Sequence, residues 1–280
     1  MTKLQSISAL EINQSKLITK KAQQWAIENL TYLNKPMTLF GTSQKVEKGA
    51  DKFNTYILYL QPADKVAIKT LCAFASKAGC KKPCLIESGQ LGMTSGQNAS
   101  TKRTILMLLR PQWFSAQLLG EIDKAEEKAL RAGIPALFRL NGTSDLDFSH
   151  IIEKRPHSLF YDYTKILTRV RKNNLDNYDL TFSGSMFSVQ SKNALRKAVI
   201  RNYRIAMAFN TKEIARDLLT VPKGFMSFDT TDLRHLDGSG VGILKRKGSN
   251  VRERTAENKL VNSFFVTTAN VRQFNAIIGV

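Results

Sequence analysis

The stretch PALFRLNGTSDL, Pro135 to Leu146, sets the reading of the fold. ALFRL (136–140) has the apolar character of a buried strand, and NGTSD (141–145) closes it with turn-forming polar residues. The same rhythm recurs downstream. LFYDY (159–163) runs into TK, YDLTF (178–182) into SGS, IAMAF (205–209) into NTK, and VGIL (241–244) into KRKG. Helical segments are expected between several of these, at 192–203 and 212–219. Strands alternating with helices imply parallel βαβ units. With NTYILYL (54–60) as a further strand, the expected fold class is α/β. The strand count suits a (β/α) barrel-like architecture, and a partial barrel or an open doubly wound sheet fits the same pattern.

In a parallel α/β fold of either kind, ligands bind where the strands end. The polar groups just after the strands are therefore the candidate chemistry. In NGTSD, Asp145 is a candidate base or nucleophile, with Ser144 and Asn141 as hydrogen-bonding partners for substrate. The rival role for Ser144 or Asp145 is an N-cap on the next helix. Asp162 and Lys165 form a second candidate set at the end of FYDYTK. Tyr161 and Tyr163 fall on one face by strand alternation, for base stacking or core packing. Ser183 and Ser185, around Gly184, offer a phosphate contact through a turn. FDTTDLRHLDG (228–238) gathers Asp229, Asp232, Asp237 and His235, the best carboxylate set for a divalent metal.

Upstream lies LCAFASKAGCKKPCLIESG (71–89), which holds all three cysteines of the chain, Cys72, Cys80 and Cys84, spaced C-x7-C-x3-C. Three thiols on one loop suit an iron–sulfur cluster that keeps one iron position open. A closed structural zinc site takes four ligands, and no histidine lies nearby to complete it. Zinc stays as the alternative metal, and three reduced, buried thiols as the metal-free reading.

Further out, Ser15–Tyr32 has helical spacing, and Met1 to about Ala50 reads as a peripheral helix and loop before a single domain over 51–280. Thr101–Leu109 is expected to be helical and to end before Pro111. Pro111–Arg131 is the clearest helix, with Phe114, Leu118, Ile122, Ala125 and Ala129 on one face and Gly133 as its C-terminal cap. No run reaches the ~18 apolar residues of a membrane span, and the N-terminus lacks the apolar core of a signal peptide. A cytoplasmic chain with reduced or metal-bound thiols is the expectation, with no membrane partner.

Charge is the strongest global signal. The 280 residues carry 42 Lys plus Arg against 23 Asp plus Glu, a formal net charge of +19 and a pI near 9.9. That surplus favours a polyanion, and nucleic acid, DNA or RNA, is the expected partner. Two basic groups stand out. Arg196 and Lys197 lie on a helix with Lys192, Arg201 and Arg204 close by; Lys245, Arg246 and Lys247 follow a strand, ahead of Arg252 and Arg254.

CAFASKAGCKKPCL, RLNGTSDL, FYDYTK, YDLTFSGS and DLRHLDGSGVGILKRKG occur in one order between Leu71 and Gly248. Together they resemble the phage gene-product-eighty-eight family, which implies a phage setting, hence a bacterial host's cytoplasm, and no assigned activity. The cysteine loop is also similar to that of phage three-cysteine proteins related to the radical SAM barrels. That likeness implies a [4Fe–4S] cluster on Cys72, Cys80 and Cys84, with S-adenosylmethionine on the open iron. The usual radical SAM spacing is C-x3-C-x2-C. The function expected is an enzyme acting on nucleic acid or nucleotides; a non-enzymatic nucleic-acid-binding protein with structural cysteines is the alternative.

Overall fold

The computed structural model describes residues 4–41, 50–81, 83–210, 225–245 and 264–279. Its strands are β1 (Phe40–Gly41), β2 (Asn54–Leu58), β3 (Ala136–Arg139), β4 (Leu159–Thr164), β5 (Tyr178–Ser183), β6 (Arg204–Phe209), β7 (Phe225–Ser227) and β8 (Gly240–Lys245). Six coincide with strands legible in the sequence. The short β1 and β7 carry no periodicity long enough to read. The helix expected over 212–219 lies outside the described residues.

The eight strands hydrogen-bond in the order β1-β2-β3-β4-β5-β6-β8-β7. β2–β3, β3–β4, β5–β6, β6–β8 and β7–β8 are parallel, as the βαβ rhythm requires. The two-residue β1 is antiparallel to β2. Among the described residues nothing joins the two end strands, so the α/β sheet is open and no closed barrel forms. A barrel needs its end strands to pair, and here β1 and β7 are only two and three residues long and stand at opposite ends of the strand order.

The chain divides into two compact units. The first comprises Met1–Ser43, Ala50–Ala73 and Gly89–Phe160. Its aromatic core follows from strand register: Tyr56 pairs with Phe138, and Phe138 with Phe160, so all three rings share one face of the sheet. Phe138 is fully buried, 5.6 Å from Tyr56 and 5.4 Å from Phe160 between ring centroids. The helix Pro111–Ala132 buries Phe114, Leu118, Ile122, Ala125 and Ala129, the face its spacing predicts, together with Trp113. It ends at Gly133 in the left-handed conformation.

The N-terminal segment, expected at the periphery, contributes Ile7, Ile12, Ala26, Leu33 and Leu39 to the buried residues. The single helix expected over 15–32 is instead two, Lys20–Glu28 and Leu30–Asn34, with the Thr19 hydroxyl capping the first. Lys102, on the helix Thr94–Leu109, is 1% exposed. Its ammonium donates to the carbonyls of Tyr32 and Lys35 at 2.5 and 2.6 Å, closing the helix Leu30–Asn34 from below. Burial lowers its pKa to about 8, with Lys35 adding to the effect.

The second unit holds Phe74–Ser88 and Tyr161 onward. Phe182, Ile205, Met207, Phe209, Val241 and Ile243 from its strands form one apolar cluster with Leu195, Ala198, Phe274 and Ile277 from helices. Those helices are Val189–Ile200 and Val271–Ile278. Leu167 and Val170 of the helix Leu167–Lys172 pack on the same cluster. Among the described residues no helix is long and apolar enough to cross a membrane.

Candidate functional site

The cysteine loop is built from short, tightly capped pieces. Cys72 belongs to the first unit, where its thiol donates to the Thr143 carbonyl at 3.7 Å. Asp145 N–H donates to the Leu71 carbonyl at 2.9 Å, which ties the loop's first strand of chain to NGTSD. Cys80 and Cys84 belong to the second unit. There the helical turn Ala75–Ala78 stops at Gly79, whose φ of +70° is a left-handed cap that glycine adopts without strain. A Cβ at Gly79 would stand 2.4 Å from the Phe187 ring, so space as well as conformation holds that position. Cys80 follows, with its N–H on the Ala75 carbonyl at 3.1 Å and its thiol 3.8 Å from the same oxygen. Cys84 precedes a 3-10 turn, Leu85–Glu87.

All three thiols are half-buried and none forms a disulfide. By donor chemistry three thiolates suit zinc or an iron–sulfur centre. Among the described residues, however, no three His, Cys, Asp or Glu side chains are gathered as a metal-holding group.

NGTSD is wound on itself. The Asn141 side-chain oxygen accepts from Ser144 Oγ at 2.9 Å and from Leu146 N–H at 2.8 Å, and its amide donates back to the Leu146 carbonyl at 3.0 Å. Thr143 Oγ1 donates to the Leu60 carbonyl at 2.5 Å. Gly142 N–H reaches the Leu58 carbonyl, and a Cβ at Gly142 would come within 2.7 Å of that same oxygen. Asn141 and Ser144 are buried and brought together, as building blocks of a turn that locks onto β2. Neither Ser144 nor Asp145 is the N-cap of the next helix, Ser149–Ile152; that position is Phe148.

Within the second unit, Lys165 and Ser183 are brought together. The Lys165 ammonium donates to Ser183 Oγ at 2.8 Å and to its carbonyl at 3.2 Å, and lies 4.8 Å from the centre of the Phe264 ring. Among the described residues, Lys165, Ser183, Ser185, Phe74, Ala78 and Ser191 close on one another and leave no room for a water molecule. Ser185 is buried, donates to the Ala78 carbonyl at 2.6 Å and accepts from Phe187 N–H at 3.1 Å. Ser191 Oγ donates to the Lys77 carbonyl at 2.8 Å. These two serines clamp the turn that leads into Cys80. Asp162 is buried and accepts from the Tyr178 hydroxyl at 3.0 Å.

The carboxylates of 228–238 serve separate partners. Asp229 accepts from Lys245 N–H at 2.8 Å. Asp232 is buried and accepts from the Tyr161 and Tyr163 hydroxyls, each at 3.1 Å, which confirms that alternation puts both tyrosines on one face. Asp237 pairs with Arg234 at 2.9 Å, and burial raises its pKa. Burial also lowers the pKa of His235, favouring its neutral form. Sequence reasoning did not reach the core of this cluster. Arg234 is 1% exposed and stacks its guanidinium 3.9 Å over the Phe228 ring. Arg204 binds Asp179 and the carbonyls of Arg234 and Asp237. The only local signal was an arginine amid three aspartates.

Of the basic residues, Arg196 and Lys197 are exposed on the helix Val189–Ile200, and Lys245 is the last residue of β8. Arg246, Lys247, Arg252 and Arg254 lie outside the described residues.

The fold and charge define an α/β protein with a mostly parallel open sheet and a strongly basic surplus. The model of the Gene product 88 family matches residues 15–261, and the chain belongs to that family. No curated protein and no solved structure matches it.

Proposed function

We propose that this protein is a phage-type protein that acts on nucleic acid. The observation that carries this reading is the net charge of +19, because a surplus of that size binds a polyanion through release of its counterions. Wild-type protein is expected to bind nucleic acid at ~50 mM salt, with log affinity falling linearly in log salt, at about 0.9 per phosphate contact on duplex DNA. No measurable binding at that salt would discard the reading.

The spacing of Cys72, Cys80 and Cys84 in the sequence, C-x7-C-x3-C, supports a second element, an iron–sulfur or zinc centre held by these thiolates. With a cluster the protein is an enzyme; without one it is a binding protein with structural cysteines. The loop's likeness to radical-SAM-related proteins would add S-adenosylmethionine as the ligand of the open iron. Anaerobic purification followed by iron, sulfide and zinc analysis decides between them. A cluster gives brown protein with broad visible absorption. Colourless, metal-free protein with three titratable thiols overturns the centre, and Cys80→Ala should then change only packing.

A further inference from the structure

Three helices of the second unit share one feature that bears on a partner. Leu167–Lys172, Val189–Ile200 and Val271–Ile278 contain seven Arg or Lys and no Asp or Glu. The helix Pro111–Ala132 of the first unit, by contrast, mixes Glu121, Asp123, Glu126 and Glu127 with Lys124, Lys128 and Arg131. Mixed charge is what a solvated helix face ordinarily carries. One-sided charge over three helices is not.

All three helices pack inward on one apolar cluster, through Leu167, Val170, Leu195, Ala198, Phe274 and Ile277. Most of their cations remain outside; Arg169 is half-buried and donates to the Tyr178 hydroxyl at 3.3 Å. Arg171, Lys172, Arg196, Lys197, Arg272 and the capping residue Arg201 are exposed. Lys192 bridges to Gln273 at 3.2 Å, linking two of the helices across this layer. The acidic residues nearest in sequence are few and mostly engaged: Asp176, in the connection to β5, is exposed; Asp162 of β4 is buried and accepts from Tyr178; Asp179 of β5 is paired with Arg204.

We propose that this helical layer is a binding surface for the phosphate backbone of double-stranded nucleic acid, read without regard to base sequence. The inference deepens the nucleic-acid reading above and rests on it. Duplex is favoured over single strand because single-strand binders need exposed rings on which bases stack. Phe274 is the one aromatic residue in the three helices, and it is fully buried. A membrane surface is disfavoured because Val189 and Ile200, the exposed apolar residues here, lie at opposite ends of their helix and form no stripe.

The test compares two quadruple variants of the full chain on a ~20 bp DNA duplex in two unrelated sequences. One removes Arg171, Lys172, Arg196 and Lys197 as glutamines. The other removes Lys21, Lys124, Lys128 and Arg131, which are equally exposed in the first unit. Unchanged urea midpoints confirm that both fold. If all four residues of the layer touch phosphate, its variant loses about 3 to 4 units of log–log salt slope, on both sequences, while the control loses less than about 1. Equal losses from both variants, with wild type still binding, overturn the surface and leave the nucleic-acid reading standing. No binding by wild type discards both. Tighter binding to the matching single strand overturns the duplex assignment. Loss confined to vesicles of anionic lipid, with duplex affinity intact, makes the layer a membrane surface instead.

Discussion

Replacing Phe138 with alanine is expected to lower the unfolding free energy by about 3–5 kcal/mol. The side chain is fully buried in β3, between Tyr56 on β2 and Phe160 on β4, with Phe40 of β1 at 5.6 Å. Its removal deletes ring contacts on three neighbouring strands at once, and a pleated sheet cannot collapse far enough to fill the void. Phe138→Leu keeps most of the volume and should cost under about 2 kcal/mol. Urea unfolding of the three proteins measures both differences. A loss below about 1 kcal/mol for the alanine variant would mean that the aromatic row is not a load on the first unit's stability.

The second large effect is expected at Asp232. Its carboxylate accepts from Tyr161 and Tyr163, one hydroxyl to each oxygen, inside the second unit. Asp232→Ala removes the acceptor of the buried Tyr161 hydroxyl, at roughly 1–3 kcal/mol, and of the half-buried Tyr163 hydroxyl at a smaller cost. A loss of about 1–4 kcal/mol is therefore expected. Tyr161→Phe placed in the Asp232→Ala background should then cost less than in the wild-type background, because the hydroxyl has already lost this acceptor. In the wild-type background the same change should destabilise. A double-mutant cycle by urea unfolding reads the coupling, and strictly additive losses would dismiss the shared carboxylate as an anchor.

How these residues came to be paired marks the boundary of what a linear reading reaches. The strand alternation of FYDYT places Tyr161 and Tyr163 on one face, but Asp232 is about 70 positions away, and nothing local points to it. The same holds for the three cysteines. Their spacing was plain, whereas the serines that clamp the turn before Cys80, Ser185 and Ser191, belong to a later strand end and helix. NGTSD looked like a reactive constellation because its residue types serve both catalysis and turns. Only the hydrogen bonds of Asn141 to Ser144 and Leu146 show that two of its members build the turn.

What the sequence by itself determined was everything governed by short-range pattern. Period-two and apolar runs located six strands, helical spacing located the buried face of Pro111–Ala132, and the alternation of the two dictated a parallel sheet. The total charge was likewise plain, since it needs no geometry. The tertiary structure alone decided that the sheet stays open among the described residues, because closure depends on how short end strands pair over long separations. It also decided where the helical cations gather. Arg171, Lys172, Arg196, Lys197, Arg201 and Arg272 are spread over about 100 positions, and they share one layer only because their helices pack Val170, Leu195 and Phe274 on the same core.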